Sequence, residues 1–243
     1  MASSLLTSLV ACWPLQEPSG QRNDIVGGYH ATDTNTVTQA TGPGNGLWVP
    51  KAGQFTAANT ELLIVSDVPA LSGSDRDFSI ALWIRLDSVA AIAGPLGKGT
   101  ANSAAGLEMR LQWNTSSGGI LQWLVSDGTN TPQITVGAIT AADVWHHVVV
   151  WHDSVNNVIG GQLNADTPVT LAHTTGVQDT TGAFEIGRMV TGTTSFNGKI
   201  ANVCFWDKVL TAAERSTLYN SGQGLMYPFN KPIQHLARSW LNG

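Results

Sequence analysis

The segment Phe184–Gly222, FEIGRMVTGTTSFNGKIANVCFWDKVLTAAERSTLYNSG, decides the fold of this chain. Its first four residues predict a short strand, and Ile200–Trp206 predicts a longer one. Asn197-Gly198 lies between them and is the dipeptide that most readily takes positive φ at both centres of a tight hairpin turn. The segment therefore predicts strand, turn and strand in close succession.

A short helix follows these strands. Thr211 and Glu214 have the spacing of a capping box, in which hydroxyl and carboxylate each satisfy a free backbone N–H at the helix start. Gly222 stands where a left-handed cap would end the helix. The segment thus predicts one short helix near the end of a chain of strands.

The middle of the chain alternates apolar and polar residues over Leu107–Asn114 and again over Leu121–Val125. Period-two alternation predicts a hairpin with one buried face and one wet face. We predict that its wet face floors a polar groove for a sugar, with the alternative of a solvated face that binds nothing. The predicted ligand-binding residues are Glu108, Arg110, Gln112, Gln122 and, as the best exposed aromatic for stacking, Trp48 in GPGNGLWVP.

Three further blocks establish a family resemblance: the opening Leu9–Gly28, FSIALWIRLD at Phe78–Asp87 and WHHVVVWHD at Trp145–Asp153. With the 184–222 segment they resemble, in order, the laminin-G-like, concanavalin A-like lectin/glucanase jelly rolls. The resemblance covers almost all of residues 8–224. It implies an all-β, two-sheet antiparallel jelly-roll β-sandwich with one short C-terminal helix, a domain at 1–224 and an apolar arm at 225–243. Such sandwiches serve as lectins, adhesins, glycanases and structural modules, so fold alone does not give function.

The resemblance also bears on metals and cysteines. Many relatives hold Ca²⁺ with Asp, Asn and backbone carbonyls, and Asn23 and Asp24 match that loop best. Relatives place the first and last long strands near each other, so Cys12 and Cys204 would either be bonded or be buried thiols. We expect reduced thiols, because no export signal precedes them.

Composition restricts the partners. The 243 residues carry a net charge of −5, and only 12% are charged, which gives no electrostatic reason to bind nucleic acid. No apolar run is long enough for membrane insertion. Residues 1–11 lack a basic n-region, so we expect no signal peptide and no general secretory export. A surface of Thr, Asn, Ser and Gln suits the outside of a particle, and a virion surface is one such place.

Catalytic motifs are missing from the sequence. No two acidic residues stand at i, i+2 on a plausible strand, as the glycanases of this superfamily require, and no G-x-S-x-G elbow occurs. We predict that the chain is not an enzyme.

The C-terminal arm is not explained by the resemblance. Leu225–Phe229 is apolar and extended, and Pro232 could begin a short amphipathic helix. The arm either packs on its own sandwich or grips a homo-oligomer partner or protein scaffold. The predicted interface residues are Tyr227, Phe229, Ile233, Leu236 and Trp240.

Together these features predict a non-catalytic, lectin-like binding or adhesion module, directed at a glycan or glycoprotein surface and displayed on a larger assembly. The alternative is a decoration or appendage subunit of a phage virion, assembled through the arm.

Overall fold

Two antiparallel sheets form a sandwich in the computed structural model, which describes residues 2–44, 48–116, 118–190 and 194–230. The strands are β1 (Leu9–Trp13), β2 (Thr32–Thr34), β3 (Thr38–Thr41), β4 (Lys51–Phe55), β5 (Leu62–Val65), β6 (Phe78–Leu86), β7 (Ala93–Gly99), β8 (Leu107–Asn114), β9 (Ile120–Val125), β10 (Gln133–Ala138), β11 (Trp145–Asp153), β12 (Val158–Leu163), β13 (Val169–Ala172), β14 (Phe184–Ile186) and β15 (Gly198–Trp206). The helices are α1 (Ala2–Leu6) and α2 (Ala212–Tyr219). Neither helix, nor any other in these ranges, is long and apolar enough to cross a membrane.

The strand order confirms the predicted two-sheet architecture. An eight-stranded sheet runs β13-β12-β11-β6-β15-β4-β3, with β1 paired to β15. A seven-stranded sheet runs β10-β9-β8-β7-β14-β5-β2. The predicted middle hairpin is β8 and β9, in which Gln112 lies opposite Gln122.

The main core lies between the sheets and follows the predicted alternation. Leu111, Trp113 and Trp123 point inward from β8 and β9, and each is at most 1% exposed. Phe78 stacks on Phe205 across β6 and β15 with ring centroids 5.6 Å apart. These tryptophans are therefore core residues and are not available to stack on a sugar.

A second apolar layer covers the outer face of the eight-stranded sheet. Trp151 and Trp206 project from that face and are covered by Leu5 and by Leu218 of α2. Thr211 and Glu214 form the predicted capping box, with Glu214 Oε2 accepting the Thr211 N–H at 2.9 Å. Since helices cover this sheet, the seven-stranded sheet is the one left without a helical layer in the described residues.

In the 184–222 segment the hairpin prediction is wrong, whereas Gly222 is left-handed as predicted, at φ 85°, and ends the 3-10 turn that follows α2. Asn197-Gly198 does not turn a hairpin, because β14 pairs with β5 and β7 whereas β15 pairs with β1, β4 and β6 in the other sheet. Gly198 instead allows a close backbone approach, since an added Cβ would lie 2.1 Å from the Arg85 carbonyl oxygen. The left-handed residue that ends α2 is Asn220, at φ 46°, two residues before Gly222.

The expectation of reduced thiols is also wrong. Cys12 and Cys204 stand directly opposite each other on β1 and β15, and their sulfur atoms are bonded. The antiparallel register brings the two side chains to one face of one sheet, which strand proximity alone could not reveal.

Candidate functional site

Glu108 is not part of an open groove, which corrects the prediction for this residue. Its side chain is fully buried, and Oε1 lies 2.8 Å from Lys98 Nζ on the neighbouring strand. Oε1 also accepts the Thr180 N–H at 2.8 Å, and Oε2 accepts the Gly73 N–H at 3.0 Å. The loops that carry Gly73 and Thr180 enclose the start of β8, so the exposure that the alternation predicted for Glu108 is wrong.

Gln112 and Gln122 do lie side by side on the outer face of the seven-stranded sheet. Gln112 Nε2 donates to Gln122 Oε1 at 2.9 Å, and Asn114 Nδ2 donates to the same oxygen at 3.1 Å. The two glutamines are only 7% and 6% exposed. Their amides mainly satisfy each other and leave little surface for a ligand.

Arg110 is the member of the predicted set that remains half-exposed. One terminal nitrogen donates to Asn102 Oδ1, and Nε is buried without a hydrogen-bond acceptor. Partial burial lowers the pKa of the guanidinium below its ordinary value. The outer face of β8 therefore carries, between Glu108 and Gln112, a cation whose hydrogen-bonding capacity is only partly used.

Trp48 lies away from this face. It is half-buried and packs against the apolar cluster beneath α2 that contains Trp206 and Leu218. The structure therefore does not bring Trp48 together with the polar residues of β8 and β9.

Asp24 is used to hold its own loop. Oδ1 accepts the N–H groups of Cys12 and Val26, and Oδ2 accepts those of Gly27 and Tyr29, at 2.8–3.0 Å. The side chain of Asn23 is engaged with Glu17 and Gln21. Calcium binding here stays a prediction, and a metal ion would have to displace these donors. No group of three or more His, Cys, Asp or Glu side chains in the described ranges is arranged to hold a metal ion.

A polar cavity of about 440 Å³ opens at one end of the sandwich, between the β9–β10 turn and the segment after β13. It was not predicted. Its walls are Asp127, Asn130, Thr131, Pro132, Ala172, His173, Thr174 and Thr175. We call it the rim cavity. It is wide open to solvent, so a bound ligand would keep one face exposed.

Asp127 organises the first wall of the rim cavity. Its Oδ1 accepts the N–H groups of Thr129 and Asn130 at 2.8 and 2.6 Å, which is an Asx turn. Its Oδ2 accepts the Thr175 hydroxyl at 2.6 Å and so joins the two walls. The Thr175 and Asn130 hydrogen bonds hold the pKa of the Asp127 carboxyl well below its usual value. The wall therefore keeps a fixed negative charge at ordinary pH.

His173 fixes the second wall. Its side chain is 5% exposed, and Nε2 lies 2.7 Å from the Gly176 carbonyl oxygen. Thr174 and Thr175 remain exposed beside it. The cavity thus offers hydroxyls and an amide for hydrogen bonding, with Pro132 and Ala172 as small apolar surfaces. In the sequence, Asp127-Gly128 is a dipeptide typical of a turn, but the two walls are far apart along the chain, so their meeting was not predicted.

The described part of the arm packs on its own chain. Phe229 is 1% exposed, and its ring lies 6.0 Å from Trp206, while Leu225 is 2% exposed. Tyr227 is 37% exposed. Phe229 is therefore an internal contact in this structure, where an interface residue was predicted. The other predicted interface residues, Ile233, Leu236 and Trp240, lie outside the described residues.

A family model of the concanavalin A-like lectin/glucanases superfamily matches residues 58–214. The chain belongs to this superfamily. A search of curated protein sequences finds no match.

Solved structures with the same fold include domains from toxins and from a glycosidase. The binding domain of Paraclostridial mosquitocidal protein 1 has a TM-score of 0.68 at 14% identity, with 88% of this chain and 52% of that one covered. Domain 4 of AbnA, an extracellular arabinanase from Geobacillus stearothermophilus solved with arabinotriose, gives 0.63 at 15% identity, covering 86% and 97%. The ligand-binding domain of botulinum neurotoxin serotype D, solved with N-acetylneuraminic acid, gives 0.65 at 11% identity, covering 90% and 52%. This superfamily member thus spans about half of each toxin domain and nearly all of the arabinanase domain.

Proposed function

We propose that this chain is a non-catalytic glycan-binding module that recognises its ligand at the rim cavity. The observation that carries the proposal is the cavity itself, a polar recess of about 440 Å³ between two loops cross-linked by the Asp127–Thr175 hydrogen bond. Sugars offer hydroxyls to polar side chains and C–H faces to small apolar ones, and this cavity has both. Structures of the same fold solved with arabinotriose and with N-acetylneuraminic acid support the proposal.

Binding without hydrolysis is favoured by the charges in the cavity. Glycoside hydrolysis commonly uses two carboxyl groups, one of which must donate a proton. Asp127 is the only carboxylate among the described residues that line the rim cavity. Its lowered pKa keeps it ionised, so it is a poor proton donor.

The alternative of a virion subunit assembled through its arm is not adopted. Leu225 and Phe229 are buried against the chain's own second apolar layer, so this part of the arm already has a partner. Leu225 and Phe229 are therefore not free to hold the module on a larger assembly.

A glycan array with the whole chain tests the proposal, followed by titration of the strongest glycan by calorimetry. Thr174→Tyr should place an aromatic ring in the rim cavity from its exposed wall and abolish binding. Thr129→Tyr is the matched control, because Thr129 is exposed in the same loop system but does not line the cavity. Absence of binding to every glycan, or equal loss in both variants, would overturn the proposal.

A further inference from the structure

Arg110 differs from most arginines of the described chain in having no carboxylate partner. Four others have a carboxylate oxygen within 4.0 Å: Arg22, Arg76, Arg85 and Arg188. Arg215 lies 4.8 Å above the Trp151 ring and donates to Gln162. Among the described residues, Arg110 has only the Asn102 amide oxygen as an acceptor and no carboxylate oxygen within 4.0 Å.

This pattern is chemically costly. A partly desolvated cation is less stable than one in water unless a counter-charge or several acceptors compensate. Arg110 Nε is already removed from water and has no acceptor. The planar guanidinium presents its N–H groups as a fork that fits a carboxylate or a sulfate with two parallel hydrogen bonds. An incoming oxyanion would supply the counter-charge and the hydrogen-bond acceptors that the described residues do not give Arg110.

The position of Arg110 links it to the rim cavity. Arg110 on β8 lies opposite Leu124 on β9, and Leu124 lies opposite Gln133 on β10. Gln133 directly follows Pro132 of the cavity wall. Two inter-strand spacings, about 10 Å, therefore separate the backbone of Arg110 from that of Gln133. Residues directly opposite each other share one face of a sheet, so Arg110 lies on the same face as Gln133, with the buried Leu124 between them. Only a ligand of several sugar units would span from the cavity across this face to the guanidinium.

We propose that Arg110 binds the oxyanion of an acidic sugar, a carboxylate or a sulfate, in an oligosaccharide that also occupies the rim cavity. This inference rests on the proposed glycan-binding function and names its ligand class. The chain's net charge of −5 opposes long-range attraction of an anion. Recognition would therefore depend on the local contact at Arg110.

The test compares matched oligosaccharides that carry a sialic acid, a uronic acid, a sulfate or no charge, titrated against the full chain by calorimetry. We expect at least one acidic form to bind more tightly than its neutral counterpart. Arg110→Gln should weaken that binding by about 10- to 100-fold, the usual effect of losing hydrogen bonds to a charged group. Arg110→Lys keeps the positive charge but loses the two parallel N–H donors of the guanidinium. Its affinity for the acidic form should therefore lie between that of the wild type and that of Arg110→Gln.

Lys51→Gln is the control for net charge, because Lys51 is an exposed cation on β4 of the other sheet. It should leave the affinity unchanged. Equal binding of acidic and neutral forms, or wild-type affinity in Arg110→Gln, overturns the inference while leaving the proposed function intact. Failure of every glycan to bind overturns both. Thermal unfolding of each variant shows whether a loss of binding reflects a loss of folding. If Arg110→Gln is unfolded, the affinity of Arg110→Lys for the acidic form tests the inference in its place.

Discussion

Lys98 Nζ lies 2.8 Å from Glu108 Oε1, and both side chains are fully buried. Lys98 also contacts Asp67 Oδ1 at 2.7 Å and the Gly182 carbonyl oxygen at 2.8 Å. The pair joins β7 and β8 to the loop that precedes β14. Its hydrogen-bonding groups are satisfied by protein atoms, so its role is structural.

Removing one member of this pair should destabilise the fold. Glu108→Leu would leave Lys98 with Asp67 as its remaining carboxylate and the Gly73 and Thr180 N–H groups without their acceptor, at a cost of about 3–5 kcal/mol in the free energy of unfolding. The double variant Lys98→Met/Glu108→Leu should cost less than the sum of its single changes, because the charges are removed together. Urea denaturation of Glu108→Leu, Lys98→Met and the double variant measures this. Strictly additive costs would show that the two side chains do not depend on each other.

Asp24→Ala tests whether the loop at Asn23 and Asp24 is held by hydrogen bonds or by a metal. The substitution removes the acceptor of four backbone N–H groups, so we expect a loss of roughly 2–4 kcal/mol in stability. The same loss should appear in calcium and in EDTA. A wild-type stability that rises with calcium, and a variant that does not respond, would instead place a cation at this loop.

His147 should make stability depend on pH. Burial lowers its pKa to about 3, from an ordinary value near 6.5. The unfolded chain therefore takes up a proton below about pH 6.5 that the folded chain does not. Stability is present above that pH and falls by up to about 1.4 kcal/mol per pH unit as the pH drops toward 3.

His147→Phe isolates this contribution, because it keeps a ring against Trp83, whose centroid lies 5.0 Å away, and cannot titrate. Burial also lowers the pKa of His146 and His152. Their contribution to the dependence of stability on pH is therefore the same in the wild type and in the variant. Urea denaturation at several pH values between 4 and 7 should give a shallower acid slope for the variant. If the two slopes of unfolding free energy against pH are identical, His147 has the same pKa in the folded chain as in the unfolded chain.

Phe229→Ala tests the arm. The side chain is buried against Trp206, so its loss should reduce stability by roughly 3 kcal/mol. Tyr227→Ala is the control, since Tyr227 is 37% exposed and should cost much less. Light scattering of both variants should give the mass of the wild type. A change in mass for Phe229→Ala at unchanged stability would indicate that the ring contacts another subunit.

The sequence predicted those parts of the fold that repeat along the chain. Apolar residues at every second position identified the inward faces of β8 and β9, and the capping box at Thr211 located α2 correctly. Sheet membership was harder. Asn197-Gly198 favours a hairpin locally, but β14 and β15 pair with strands of different sheets. These long-range pairings determine which sheet each strand joins.

The candidate site was less accessible to prediction. Alternation indicates that Glu108 leaves the core face, but it gives no information on the loops that cover Glu108. The rim cavity is formed by two segments that meet through Asp127 and Thr175, which are 48 residues apart. The turn at Asp127 was visible in the sequence, whereas its contact with Thr175 is a property of the folded chain.

Trp206 brings the first and last described segments together: its indole N–H donates to the Leu5 carbonyl oxygen at 2.8 Å, and Phe229 packs on its ring. Both ends of the described chain therefore leave from the outer face of the eight-stranded sheet. Two segments more than 200 residues apart in sequence thus cover one tryptophan, so removing either the Leu5 segment or the Phe229 side chain would expose part of the Trp206 ring.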